Sequence, residues 1–137
     1  MAAIQWNEQA MGTGVGSVDG QHKELIAMLN QLLDAMMKGK GKEELGGMIQ
    51  FLGAYAEKHF SHEEQVMAEH RCPVALVNKQ AHARFLQDFK LLAAKFSREG
   101  ASSAVVVDVQ QKMLNWLASH IRGCDANLRK CVTPKAA

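Results

Sequence analysis

Four long stretches of the chain carry apolar residues at alternating spacings of three and four, the pattern of a helix with one buried face. They run about 18–38, 43–70, 74–97 and 103–123, and are separated by glycine-rich breaks and by Pro73. The first seam reads Val18, His22, Leu25, Leu29, Leu32 and Met36. The second reads Leu45, Met48, Leu52, Tyr55, His59, then His62 or Glu63, then Val66. The third is Asn78, His82, Phe85, Phe89, Leu92 and Phe96, and the fourth Val106, Val109, Met113, Trp116 or Leu117, and His120. Asp19 is placed to cap the first helix, Pro73 to precede the third, and Lys38 to Gly41 to close the first. Short connections between such helices favour antiparallel neighbours, so the expected architecture is an all-α, up-down-up-down four-helix bundle. It would form a single domain over 1–137, with an N-terminal loop over 1–17 and a short C-terminal tail.

Polar residues interrupt every seam, and they do so at matching depths. His22 lies one turn into the first helix and His59 and Glu63 in the last third of the second. Asn78 and His82 open the third helix, and His120 lies near the end of the fourth. In an antiparallel bundle the starts of helices one and three share a level with the ends of two and four. These groups therefore converge on one layer at one end. His59 and Glu63, four residues apart, face one way. Asp125, five residues after His120, can swing a second carboxylate into the same layer.

Burying carboxylates and several imidazoles together is costly unless something compensates, and a metal cation is the simplest compensation. Any one of these histidines alone reads most simply as a core residue satisfied by a neighbour; four at one depth with two carboxylates do not. Imidazole and carboxylate suit iron, manganese or zinc, and no thiolate joins the layer as a structural zinc site would require. Two carboxylates among several histidines suit a bridged metal pair, each carboxylate spanning two cations. Spacing alone does not choose iron.

Composition narrows the setting. The formal net charge of +2 has no basic run behind it, so neither nucleic acid nor an anionic membrane is an expected partner. No apolar stretch approaches the roughly 20 residues of a membrane helix, and Met1 to Gly14 lack the basic start and apolar run of an export signal, so a cytoplasmic location is expected. Cys72, Cys124 and Cys131 read as reduced thiols, with Cys124 the one nearest a candidate ligand. The eight methionines read as core filler and Tyr55 as core. His62 reads as outward-facing, Glu64 as directed to solvent or a lysine, and Gln21 as solvated or touching the layer from outside.

The ordered motifs resemble the hemerythrin family. Asp19-Gly20-Gln21-His22-Lys23, with Trp6 and Val15-Gly16 upstream, is similar to that family's opening motif. His59-Phe60-Ser61-His62-Glu63-Glu64 is similar to its second, Pro73 with Asn78 and His82 to its third, and His120-Ile121 with Asp125 to its fourth. The resemblance spans about Trp6 to Leu128. The family is itself an up-down-up-down bundle, so the topology has two overlapping supports. The resemblance implies two non-haem iron ions, oxo- or hydroxo-bridged, held by His22, His59, Glu63, His82, His120 and Asp125. Glu63 and Asp125 would bridge the pair; His22 and His59 would complete the iron that meets dioxygen, and His82 and His120 the other. Leu25, Trp116 and Ile121 would form part of the shell around the site, with Gln21 outside it.

One position departs from the family pattern: Asn78 stands where a third histidine of the second iron is expected. Three outcomes follow. The amide oxygen ligates weakly, water fills the position, or another histidine replaces it, His70 being nearest in sequence. The expected function is binding of dioxygen or a similar small ligand, for oxygen transport, storage or sensing. The rivals are a diiron peroxidase or oxidase, which Asn78 favours, and a sensor of dioxygen, nitric oxide or iron. With the chain ending at Ala137, a sensor is expected to act through a separate protein partner.

Overall fold

A computed structural model describes residues 4–123 and 125–132 of the 137. Its elements are the helices α1 (Glu8–Met11), α2 (Gly16–Met37), α3 (Lys42–Glu69), α4 (Ala75–Glu99), α5 (Ser103–Asp108), α6 (Trp116–Gly123) and α7 (Leu128–Val132). A π-helical segment, Val109–Asn115, joins α5 to α6, and a 3₁₀ turn, Asp125–Asn127, leads into α7. Among the described residues there is no strand. α2 packs on α3, α3 on α4, and α4 on α5 and the π segment, while α2 in turn meets α5, the π segment and α6. The result is the antiparallel four-helix bundle that the seams predict. None of its helices is long and apolar enough to cross a membrane, among the described residues.

The breaks have local causes. α2 ends in a Schellman motif: Gly39 at φ 72° bonds its N–H to the Met36 carbonyl and Lys40 bonds to Ala35. α3 ends the same way, with Arg71 N–H on Ala68 and Cys72 N–H on Met67. Here a non-glycine residue, Arg71, takes the left-handed conformation at φ 52°. The hydrophobic contact that accompanies such motifs is also present, because Cys72 and Met67 pack in one apolar cluster. α4 stops at Gly100, φ 69°, and Ser102 Oγ then caps α5 by accepting Val105 N–H at 3.2 Å.

Three details differ from the sequence expectation. The expected N-terminal loop contains one helical turn, α1, capped by Asn7 and anchored by buried Met11. Arg129 of α7 holds that turn by donating to the carbonyls of Glu8, Gln9 and Gly12. Asp19 does not cap the first helix, which starts three residues earlier at Gly16 behind a Val15 N-cap without a side-chain bond. Its carboxylate instead accepts both Thr13 N–H and Thr13 Oγ–H at 2.8 Å, fixing the loop that leads into α2. The fourth seam is Val105, Val109, Met113, Leu117 and Ile121, with Val106 only half-buried. A strict spacing of four drifts by about 40° per step on a turn of 3.6 residues. The wider π turn counters that drift and keeps the stripe on the core.

In the second helix, Met48 and Tyr55 sit half-buried at the margin, and Ile49, Ala56 and Phe60 take the interior. The first and third seams are buried throughout. Two apolar clusters result. The large one fills the bundle from Leu25 to Met36 on α2, with Phe60 on α3 and Phe85 to Phe96 on α4. The small one gathers Val18, Val66, Met67, Cys72 and Leu128 at the other end, with Cys131 packed against it. On each long helix the polar residues lie between the two.

Candidate metal centre

α2 supplies His22, α3 supplies His59 and Glu63, and α4 supplies Asn78 and His82. The last full turn of α6 supplies His120, and the 3₁₀ turn brings in Asp125. His22, Glu63, Asn78 and Asp125 are wholly inaccessible to solvent, and His59 and His82 are 1% exposed. His120 is less enclosed, with 7% of its side chain exposed. Residues from four helices and one turn thus meet in a single buried layer, at the depth the seams predict.

Each carboxylate divides its two oxygens between two sets of imidazoles. Glu63 Oε2 lies 2.7 Å from His22 Nε2 and 3.4 Å from His59 Nε2. Glu63 Oε1 lies 3.0 Å from His82 Nε2 and accepts a hydrogen bond from Asn78 Nδ2 at 2.8 Å. Asp125 Oδ2 is 3.1 Å from His22 Nε2, and its Oδ1 is 3.1 Å from His120 Nε2. Two groups follow, His22, His59 and Glu63 in one and Glu63, His82, His120 and Asp125 in the other, each with its ligand atoms within 4.8 Å of one another. Glu63 belongs to both, as a bridging carboxylate would.

The outer ring nitrogens are tied down. His59 Nδ1 donates to Gln21 Oε1 at 2.8 Å, and His82 Nδ1 donates to Glu64 Oε2 at 3.0 Å. A carbonyl or carboxylate oxygen can only accept, so each bond puts a proton on Nδ1, and in the neutral ring this leaves the Nε2 lone pair facing the layer. Gln21 thus touches the layer from outside. Glu64 departs from the expectation of a solvent-facing residue, because the His82 ring reaches it across the α3–α4 interface. Aromatic walls hold two of the rings: Phe60 stacks on His82 with centroids 4.0 Å apart, and Trp116 stacks on His120 at 4.6 Å. Leu25 and Ile121 are buried in the large cluster.

The electrostatics are those of a site short of positive charge. Burial works against a charged His22, but the bonds and charges of Asp125 and Glu63 outweigh it and raise its pKa to about 9. For His82 burial likewise opposes the cation, and Glu63, Asp125 and Glu64 prevail, raising it. Burial wins at His59, whose pKa is lowered. Burial also opposes ionisation of Glu63, yet the facing rings of His22, His59 and His82 hold it well below the usual carboxylate range. Among the described residues, His22 Nδ1, His59 Nε2, His82 Nε2 and both oxygens of Asp125 are buried without a hydrogen-bond partner. Orphaned lone pairs converging in a dry layer are rare unless something binds them. The donor set fits cations that accept imidazole and carboxylate.

The other candidates stay outside. His62 Nε2 bonds to Ser17 Oγ at 3.0 Å on the exposed side of α3. His70 caps α3 and donates to the Val66 carbonyl at 2.9 Å, so it does not replace a ligand at position 78. Asn78 itself lies in the layer, its Oδ1 2.7 Å from His120 Nε2. Cys72 and Cys131 are unbridged thiols; burial and contact with Cys131 push Cys72 up to about 12. Cys124 lies outside the described residues. Sequence reasoning missed Phe60 and Thr13. Phe60 directly follows a ligand-type histidine within a buried run, which was its only signal.

Residues 13–130 match the family model described as the hemerythrin HHE cation binding domain. The chain belongs to the hemerythrin family. The bacteriohemerythrin of Methylococcus capsulatus is 29% identical over 133 residues, covering 97% of this chain and 99% of that one. The bacteriohemerythrin of Aquifex aeolicus is 31% identical over 109 residues, 80% of this chain and 82% of that one. Among solved structures, a wild-type hemerythrin superposes with a TM-score of 0.82 at 27% identity, over 97% of this chain and all of that one. This hemerythrin-family chain thus shares its fold with the family along almost its whole length, and its buried His, Glu and Asp cluster is a candidate metal-binding set.

Proposed function

We propose that this protein is a non-haem diiron protein that binds dioxygen, or a ligand of similar size, at a carboxylate-bridged iron pair. The observation that carries the reading is the division of Glu63 and Asp125, one oxygen of each toward either imidazole set. His22 and His59 would hold one iron, His82 and His120 the other, with Glu63 and Asp125 shared. When bound, such a pair supplies two electrons and an open position for a small ligand. The protein's part is to keep donors and surroundings fixed. Gln21 and Glu64 orient His59 and His82, Phe60 and Trp116 brace His82 and His120, and near-complete burial excludes water from the layer.

Binding is favoured over turnover because, among the described residues, the layer contains no general acid besides the ligands themselves. Asn78 favours a second reading, a diiron peroxidase or oxidase, because the second metal position then carries one imidazole fewer than a three-histidine set. The two are separated by loading the protein anaerobically with ferrous ion, counting iron per chain and admitting air. Two irons with a long-lived charge-transfer band support dioxygen binding. Rapid bleaching with consumption of peroxide and a reductant supports the enzyme. No iron uptake sinks both.

A further inference from the structure

We propose that Asn78 is itself a metal ligand, through Oδ1, at the position shared by His82 and His120. This rests on the two-metal reading above. Neighbouring donors on a six-coordinate first-row cation, with bonds of about 2.0–2.2 Å, lie about 2.8–3.1 Å apart. Asn78 Oδ1 stands 2.7 Å from His120 Nε2, Asp125 Oδ1 stands 3.1 Å from the same nitrogen, and Glu63 Oε1 stands 3.0 Å from His82 Nε2. The two carboxylate separations fall within that range and the Asn78 separation just below it, close to adjacent vertices of one coordination shell, of which Asn78 supplies one.

The orientation of the amide supports the assignment. Asn78 Nδ2 donates to Glu63 Oε1 at 2.8 Å and approaches Met67 Sδ at 3.1 Å. Both contacts want an N–H, so they fix the amide with its oxygen toward His120. In the metal-free protein His120 Nε2–H donates to that oxygen. A cation at this position needs the lone pair of Nε2, so the proton must leave. Oδ1 would then face a lone pair at close range in a layer that is almost wholly buried. Rotating the amide to relieve this would aim an NH₂ at the cation and a carbonyl at the Glu63 carboxylate. Ligation by Oδ1 resolves the conflict and keeps both Nδ2 contacts.

The two positions then differ in chemistry. The first has His22, His59 and one oxygen each from Glu63 and Asp125. The second has His82, His120, the other two carboxylate oxygens and a neutral amide oxygen. An oxygen-rich set favours manganese(II) and iron(II) over zinc(II), which gains more from imidazole.

The test is titration of metal-free wild type, Asn78→Ala and Asn78→His with Mn(II) and with Zn(II) alone, by equilibrium dialysis, with circular dichroism to verify the helices. Wild type is expected to bind two Mn(II). Asn78→Ala is expected to weaken the second at least tenfold and leave the first within threefold. Asn78→His is expected to shift the second position toward Zn(II) by tenfold or more. It fills the position with a larger imidazole instead of leaving a void, so it serves if Asn78→Ala does not fold. Two Mn(II) with affinities that Asn78→Ala leaves unchanged, or an unaltered preference in Asn78→His, overturn the assignment alone. One Mn(II) or none in wild type overturns it together with the two-metal reading.

Discussion

Glu64 accepts the Nδ1–H of His82 at 3.0 Å, while its chain neighbour Glu63 faces Nε2 of the same ring, also at 3.0 Å. Consecutive carboxylates on α3 therefore grip one imidazole from both ends, Glu63 from inside the layer and Glu64 from its margin. Glu64→Ala is predicted to lower metal affinity by about 10–100-fold, the usual cost of losing such an orienting partner. Glu64→Gln, which keeps an acceptor oxygen, is predicted to lose less. Competition with a coloured chelator measures both, and an unchanged affinity in Glu64→Ala would show that the bond does not orient the ring.

Above pH 6.5 the metal-free and metal-loaded forms should respond to pH in opposite senses. His22 is raised from 6.5 to about 9 in the folded chain, so its contribution is full below pH 6.5 and is lost as pH rises through 9. Glu63 is held well below 4.5, so its contribution is present above that pH and lost on acidification. His59, lowered by burial, adds to the acid loss below 6.5. Metal-free protein is thus predicted to lose up to about 3 kcal/mol between pH 6.5 and 9. Loaded protein should instead weaken toward low pH, where protons compete with the cations for the same lone pairs. Urea midpoints of the chelated and loaded forms at both pH values test the reversal.

Gly53 marks a close approach of α3 to α4. A Cβ there would stand 2.6 Å from Phe89 Cε1, and Phe89 is buried and packed against Phe85. Alanine is a better helix former by about 1 kcal/mol, yet Gly53→Ala is predicted to destabilise by about 1–3 kcal/mol through overpacking. A gain in melting temperature would show that the aromatic ring yields more easily than its packing implies.

Arg71 holds a left-handed conformation that costs a non-glycine residue about 1–2 kcal/mol. Glycine avoids that cost and loses about 0.5–1 kcal/mol in chain entropy. Arg71→Gly is therefore predicted to be neutral to stabilising by about 1 kcal/mol, whereas Arg71→Val should destabilise. Thermal unfolding of the two variants gives the comparison, and a less stable Arg71→Gly would assign the arginine side chain a role of its own.

The helices and the polar layer were legible because periodicity and depth are one-dimensional quantities. Every residue of the first and third seams is buried as the spacing required, and Glu63 and Asp125 meet the histidines at the predicted level. The fourth seam was misread by one residue at Val106 because a π turn changes the residues per turn without any glycine or proline to signal it. Asp19 looked like a cap because caps are recognised by residue type at a boundary, and the boundary lies three residues earlier.

The sequence by itself determined which residues face inward and at what depth, since those follow from the geometry of single helices. Only the tertiary structure decided which atoms meet. That Glu64 orients His82, that Phe60 stacks on the same ring, and that the Asn78 amide turns its oxygen to His120 are contacts between helices, joining residues up to 42 positions apart. Such contacts depend on the rotation of one helix against another and on the rotamer each side chain takes at the interface, and neither is encoded in the spacing along any one helix.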